Sequence, residues 1–348
     1  MSNPSPVHII DPLSFPGYEE LLLATPGASF FHSAAWARVL CESYGFRPRY
    51  LAGAEAGSFG ALMPIMEVGH ALLGKKGVCL PFSDECPPLV NGGSCGEGLL
   101  QSLLSSGQDL GWRSVEWRGG AGLWQKAIPS LSYLGHRVEL GMGEENLFRS
   151  FRESTRRNVA KAFKQGVEAR VETSAQSVRM FYGLQCLTRK KHGLPPQPLR
   201  FFMKLWEHVL CEGKGFVVLA YHRGHAVSGA VFLHHNSRGV FKYGASARAA
   251  EPLRANNLVM WEGMRECIRR GCGSLSLGRT EPGNLGLLQF KRGWGGVEEP
   301  VNYYKYDLRR KSFARVKPRE SGWQTALIAR FPVPVLRLLG TLLYPHMA

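Results

Sequence analysis

The 348-residue chain carries one pattern twice. Arg49-Tyr50-Leu51-Ala52-Gly53 and Phe59-Gly60-Ala61-Leu62-Met63 flank a polar turn at Glu55-Ala56-Gly57. Val217-Val218-Leu219-Ala220 and Ser228-Gly229-Ala230-Val231-Phe232 flank another at His222 to His225. Each is a short apolar run, a turn and a second apolar run, which is the grammar of a β-hairpin. A third strand follows in each half, at Gly77 to Pro81 and at Gly239 to Tyr243. Next come helix-length stretches, Glu97 to Leu110 and Asn256 to Arg270, with Leu258, Trp261, Met264 and Ile268 recurring at helical spacing in the second. Each stops at a glycine suited to a left-handed cap, Gly111 or Gly271, and leads into a strand, Trp112 to Trp117 or Cys272 to Leu277. Self-similarity in the same order, at an offset of about 160 to 169 residues, marks a duplicated unit.

The repeat predicts an α/β (α+β) chain of two tandem lobes, each a mixed, mostly antiparallel sheet flanked by helices. Residues 1–140 form the first lobe, 141–308 the second, and 309–348 a basic and apolar tail. A helix from about Ser33 to Tyr44 precedes the first hairpin. Helices at Glu144 to Gln165, Ala175 to His192 and Pro198 to Glu212 precede the second.

A hydrophobic share of 44% supports a real core, and charged residues at 20% are too few for a disordered polyelectrolyte. The net charge of +16 favours phosphate-bearing partners such as nucleic acid, nucleotide cofactors or anionic lipid, unless the source simply uses arginine freely. Eight cysteines without any C-x-x-C pair read as small buried hydrophobes in a reducing cytoplasm. No signal peptide is expected at Met1 to Asp11, and no apolar run is long enough to span a bilayer. These readings place the protein in the cytoplasm, with a peripheral position at the inner face of the membrane if the tail binds lipid.

Between Glu144 and Gln165, Phe148, Phe151, Thr155, Val159, Ala162 and Phe163 share one helical face, with Arg149, Arg156, Arg157, Lys161 and Lys164 on the other. That basic side is either a solvated face or a phosphate contact, for which the arginine fork is well suited. From Ser321 the tail is apolar apart from Arg330 and Arg337. It either lies in an anionic membrane interface or docks on the protein's own surface.

Serine-hydrolase, Walker, zinc-protease and nicotinamide motifs are absent, and His234 and His235 point to opposite faces of a strand, so no metal or tightly bound cofactor is expected. The segment Ser276 to Gly296 stands out instead. A strand ends at Gly278 and delivers Arg279 to its carboxyl end, where open α/β sheets bind ligands. A glycine-rich loop then leads to Lys291 and the turn Gly293-Trp294-Gly295-Gly296. The first half, with Arg118 to Lys126 at the matching place, lacks that turn.

Arg156 to Val167, Phe241-Lys242-Tyr243-Gly244-Ala245-Ser246, Phe290-Lys291-Arg292-Gly293-Trp294-Gly295-Gly296 and Leu80-Pro81-Phe82-Ser83-Asp84 together resemble the FemAB-like branch of the GNAT acyltransferases. The resemblance runs from about residue 25 to 308, is similar to the FemAB proteins of PEP-CTERM and exopolysaccharide gene clusters, and implies a double GNAT fold. It places the family's Phe-Lys-x-Gly-aromatic-Gly lysine on Lys291 and its Arg-Arg-Asn segment on Arg156, Arg157 and Asn158. Two departures stand out. Arg248 to Asn256 lacks the glycine pair of CoA-binding loops, and Ser276 stands where relatives carry an acidic residue.

The resemblance implies an acyltransferase that forms an amide on an amine of peptidoglycan or exopolysaccharide precursors. The donor, as co-substrate, is acyl-CoA or aminoacyl-tRNA. Lys291 would stabilise the oxyanion or donor phosphate, Arg279 would hold an anionic part of a substrate, and Tyr243 would relay a proton or position the acceptor. Asn284, Gln289 and Phe290 would line the substrate, with Trp36 and Arg157 reaching it from the lobe interface. Two alternatives are an acetyl-CoA-dependent sugar N-acyltransferase and a non-catalytic degenerate double GNAT that binds RNA or an envelope-synthesis partner.

Overall fold

The structure, a computed structural model, describes residues 7–55, 57–70, 74–91, 95–120, 123, 127–315 and 323–347. The chain forms two compact units. The first holds Met1–Tyr133, Pro300–Pro318 and Pro345–Ala348; the second holds Leu134–Glu299 and Arg319–Tyr344. The sequence reading cuts once after residue 140 and sets 309–348 apart. The observed division falls inside two strands, because Leu134 to Glu139 pair with Ser274 to Thr280 of the second unit, and most of the tail groups with that unit.

The first unit opens with β1 (His8–Ile10), α1 (Tyr18–Ala24) and α2 (Ala34–Tyr44). Ser33 caps α2, its hydroxyl accepting from the Trp36 N–H at 3.3 Å. Then follow β2 (Arg47–Pro48), β3 (Tyr50–Glu55), β4 (Ser58–Met63), β5 (Met66–His70), β6 (Gly74–Val78), β7 (Leu89–Val90), α3 (Cys95–Asp109) and β8 (Trp112–Arg118). The expected hairpin is β3 and β4, paired with Ala52 opposite Leu62. They lie in a small sheet of order β1-β3-β4-β7. Pro64 interrupts the run into β5, since a proline has no N–H for a ladder. β5 joins a second sheet with β2, β6 and β8, in which β6 and β8 run parallel. The returning segment lies against β8, with Tyr304 opposite Trp117.

Strand β9 (Leu131–Glu139) carries the chain into the second unit. There follow α4 (Glu144–Ser150), α5 (Glu153–Lys164), β10 (Glu168–Glu172), α6 (Ala175–Lys191) and α7 (Leu199–Leu205). Next are β11 (Gly215–His222), β12 (His225–His235), β13 (Arg238–Ser246), α8 (Ala255–Arg269), β14 (Ser274–Thr280) and α9 (Leu285–Arg292). β15 (Val297–Asp307) leads back, β16 (Ser312–Phe313) pairs with it, and α10 (Trp323–Arg330) and α11 (Val333–Leu343) end the chain. The sheet order is β10-β11-β12-β13-β14-β9, antiparallel except where α8 joins β13 to a parallel β14. α5 and α8 bury Val159, Ala162, Leu258 and Met264 against Phe216, Val218 and Phe232. α6 and α7 cover the other face with Phe181, Phe201 and Phe202. Gly111 and Gly271, at φ +70° and +78°, cap α3 and α8 as the sequence reading expects.

Two expectations change here. The helix read over Glu144 to Gln165 is broken: Phe151 is extended, and the Arg152 N–H donates to the Gly293 carbonyl at 3.0 Å rather than into a helix. Phe163, expected on the buried face, is 54% exposed.

Candidate active site

Strands β13 and β14 pair only over Arg238–Val240 and Ser274–Ser276, and then part. β13 continues along β12 as far as Ser246, opposite Ser228. β14 turns toward β9 through a bulge between Ser276 and Arg279, and Arg279 comes to lie opposite Gly135. Gly278 makes the bend at φ +71°, a left-handed position that favours glycine. Beyond Val240 and Ser276 no ladder joins the two strands, and the fork is a wedge at the carboxyl end of a parallel pair.

The fork is fixed by Lys291. This lysine is 3% exposed, and its Nζ donates to the carbonyls of Gly278, at 2.9 Å, and Arg279, at 3.0 Å. An ammonium is kept in an apolar setting only when such acceptors replace its water. Lys291 is placed by α9, where the sequence reading expects a glycine-rich loop. The helix forms because Asn284 caps it, its side chain accepting from the Leu287 N–H at 3.2 Å. Trp294, fully buried, stands edge-on to Phe151 at 5.0 Å and to Phe290 at 6.0 Å. A Cβ on Gly293 would lie 2.4 Å from Thr155 Oγ1, so glycine is required where α9 meets α5. The Phe-Lys-x-Gly-Trp-Gly motif is thus an anchor that presses Lys291 under the bend of β14.

The structure brings together some expected residues and separates others. Arg279 is half-buried on the arm of the fork that Lys291 holds. Tyr243 lies on the other arm, mid-strand rather than at the strand's end, and packs against Phe202 of α7 at 5.4 Å. Phe290 packs into the core, while Gln289 and Asn284 are exposed on α9 and at its cap. Arg157 is exposed on α5 and pairs with Glu153 one turn away. Trp36 lies in the first unit, 0% exposed, between Phe31 at 5.4 Å and Phe30 at 6.0 Å. A side chain without exposed surface has a packing role, not a contact with substrate.

One titratable side chain beside Lys291 escaped the sequence reading. His136 of β9 is 2% exposed, and its Nδ1 lies 3.6 Å from Glu298 Oε1. Glu298 is itself gripped by Arg292, Nε at 2.6 Å and Nη2 at 3.0 Å. Burial pushes the His136 pKa down, and the neighbouring positive charge of Lys291 adds to the effect. Both ring nitrogens of His136 and Thr280 Oγ1 are buried without a hydrogen-bond partner among the described residues. The available signal was alternation along β9, which sets His136 on the same face as buried Val138.

Ahead of α8 the chain makes a tight turn over Arg248–Leu253 rather than a glycine cradle. Arg254 takes the left-handed cap position at φ +59°, and both Arg248 and Arg254 are exposed. These arginines and the helix start they flank are suited to a phosphate-bearing group.

Residues 149–292 match the family described as the acetyltransferase (GNAT) domain. A crystal structure of FemX aligns with a TM-score of 0.67 at 14% identity, over 84% of this chain and 95% of that one. A tandem GNAT protein from the clavulanic acid biosynthesis pathway aligns at 0.55 and 8% identity, over 90% and 99%. L-PGS from Bacillus licheniformis aligns at 0.54 and 12% identity, over 91% and 96%. At such identities the likeness is one of fold. No curated protein is similar enough in sequence to count as a match. The second unit carries a GNAT domain, the chain has a tandem GNAT-like fold, and the resemblance to FemAB-like acyltransferases is borne out at those two levels.

Proposed function

We propose that the protein is an N-acyl or aminoacyl transferase whose reaction takes place in the fork between β13 and β14. It forms an amide on an amine of a cell-envelope or exopolysaccharide precursor. The observation that carries this reading is the fork itself: strands that part after three paired residues, with Arg279 on one arm and Lys291 fixed beneath it. The amine nitrogen attacks the donor's ester or thioester carbon, the tetrahedral oxyanion collapses, and the leaving oxygen or sulfur takes the amine's proton. Strand edges free of ladder pairing offer main-chain N–H groups to the oxyanion, and the Lys291 charge raises the local potential. Arg279 holds an anionic group of donor or acceptor, Tyr243 positions the acceptor from the other arm, and Gln289, exposed on α9, donates a hydrogen bond to substrate.

The donor is aminoacyl-tRNA or acyl-CoA. The arginine-flanked turn before α8, without glycines to wrap a pyrophosphate, supports the tRNA ester. The exposure of Arg157 on the basic side of α5 supports a contact with a phosphate backbone.

A binding protein without activity is the second reading, and one observation favours it: the Lys291 ammonium is engaged by two carbonyls of its own chain. Purified protein, incubated with charged tRNA or acetyl-CoA and an amino-sugar or peptide acceptor, separates the two. Amide product with one donor class supports transfer. Tight binding of tRNA or CoA without product from any acceptor supports the second reading.

A further inference from the structure

The last two helices are docked on one side and apolar on the other. On α11, Leu336 and Gly340 are buried, and Tyr344 one turn further on continues the same face. A Cβ on Gly340 would lie 1.9 Å from the Pro196 carbonyl oxygen, so the helix presses directly on the loop after α6. Arg189 Nη2 donates to Tyr344 Oη at 3.0 Å, and the Arg337 guanidinium lies 5.1 Å from the Tyr182 ring centre. α10 is seated as closely, with the Thr325 carbonyl beside Gly193. This is a fixed element of the second unit.

Among the described residues its opposite side has no such cover. Val335, Leu338 and Leu342 are 41%, 61% and 60% exposed, and their spacing of three and four residues aligns them in one stripe. Leu327 of α10 and Leu343 add to the exposed apolar surface. A helix that is apolar on both sides needs a second apolar phase, and such patches on a soluble surface mark contact sites.

Charge and length identify that phase. From Trp323 to Tyr344 the only charges are Arg330 and Arg337, with no acid, within a chain of net charge +16. α6 ends in Arg189, Lys190 and Lys191, next to the loop that α10 and α11 press upon. Among the described residues no helix is long and apolar enough to cross a membrane. The 11 residues of α11 reach only about 16 Å, roughly half of a hydrocarbon core. With its inner side held by protein, α11 can only lie flat.

We propose that the outer side of α10 and α11 inserts into the interface of an anionic lipid bilayer, leucines among the acyl chains and basic residues at the headgroups. The two fates open to an apolar tail, self-docking and lipid binding, are then both realised, one on each side of the same helices. The inference stands on the tail alone and does not depend on the transfer reaction.

Flotation of the full chain with vesicles tests it, using phosphatidylcholine alone or mixed with phosphatidylglycerol, alongside the oligomeric state without lipid. The protein should float with the phosphatidylglycerol vesicles and far less with phosphatidylcholine, more weakly at high salt. The double variant Leu338→Glu/Leu342→Glu should lose lipid affinity by roughly tenfold or more while keeping its thermal stability, since both side chains are exposed. Ile128→Glu, at an exposed apolar position of the first unit, should float like the parent. Failure to float with anionic vesicles would overturn the proposal. So would equal flotation of the double variant, or a lipid-free dimer that the double variant dissociates, which would make the stripe a contact between copies.

Discussion

The first unit has a fork of its own. β6 and β8 run parallel to Val78 and Glu116 and then part, just as β13 and β14 part beyond Val240 and Ser276. In the first unit the gap is closed from within. The N–H of Cys79 donates to the Glu116 carbonyl at 2.7 Å, and that of Cys86 to the Arg118 carbonyl at 3.1 Å, so segment 79–86 covers the open edge of β8. Arg118, 7% exposed, donates to the carbonyls of Ser83 at 2.7 Å and Leu80 at 3.3 Å, and Tyr303 Oη donates to that of Asp84 at 2.6 Å. The plug holds Leu80 and Phe82 in left-handed backbone, at φ +38° and +64°, which non-glycine residues adopt only when held there.

The second unit solves the same problem differently. Its strand carries an arginine one residue before its end, but the carbonyls at its bend are capped by Lys291 from α9. The arginine of the first copy is therefore held by its own loop, while Arg279 is half-buried on an arm of a fork that no ladder closes among the described residues. Carbonyl capping by a residue from another element separates two duties that Arg118 shows combined. The Leu-Pro-Phe-Ser-Asp stretch that carried part of the family resemblance is thus a stopper in the first unit.

Removing the cap should break the contrast most severely. Lys291→Met is expected to cost on the order of 100-fold in transfer rate, and about 2–4 kcal/mol of stability from two stranded carbonyls. Transfer assays and denaturant melts measure both; parental activity would show that the bend of β14 does not need its clamp. Gly293→Ala pushes a methyl against Thr155 and should destabilise the second unit by about 1–3 kcal/mol, read as a lower melting temperature.

His136 sharpens the comparison through pH. Its pKa in the folded protein lies below the ordinary 6.5, so the unfolded chain takes up the proton first as pH falls. Its contribution to stability is complete above about pH 6.5 and is lost as acidity increases through the folded pKa. His136→Gln should flatten the dependence of melting temperature on pH below that point, and an unchanged slope would show that His136 does not set it. The smallest effect belongs to Arg157→Ala. Its exposed pair with Glu153 is worth about 0.3–0.5 kcal/mol, so stability should barely move. If tRNA is the donor, its affinity should fall and the salt dependence of binding should become shallower.

What could be read in advance followed locality. The hairpins, the crossover helix α8 and the glycine caps rest on periodicity and turn chemistry, and they were legible. α9 was misread because Gly283 and Gly286 suggest a loop, although Asn284 is a recognisable cap. The break at Phe151 depends on a hydrogen bond to Gly293, far along the chain, and nothing near Arg152 announces it. The site was half legible: Arg279 and Lys291 were singled out, but a lysine bonded to the carbonyl of that same arginine is a fact of packing. His136 was invisible because a strand shows which face a residue takes, not what waits there.

The claim that the second fork works while the first is a scaffold is tested most directly by one paired measurement. Arg118→Met and Arg279→Met should be compared for melting temperature and for kcat/KM with the established donor. Arg118→Met should lose about 2–4 kcal/mol of stability with kcat/KM near the parent's once folded, whereas Arg279→Met, once folded, should lose at least tenfold in kcat/KM. The reverse pattern, or equal loss of activity in both, would contradict it.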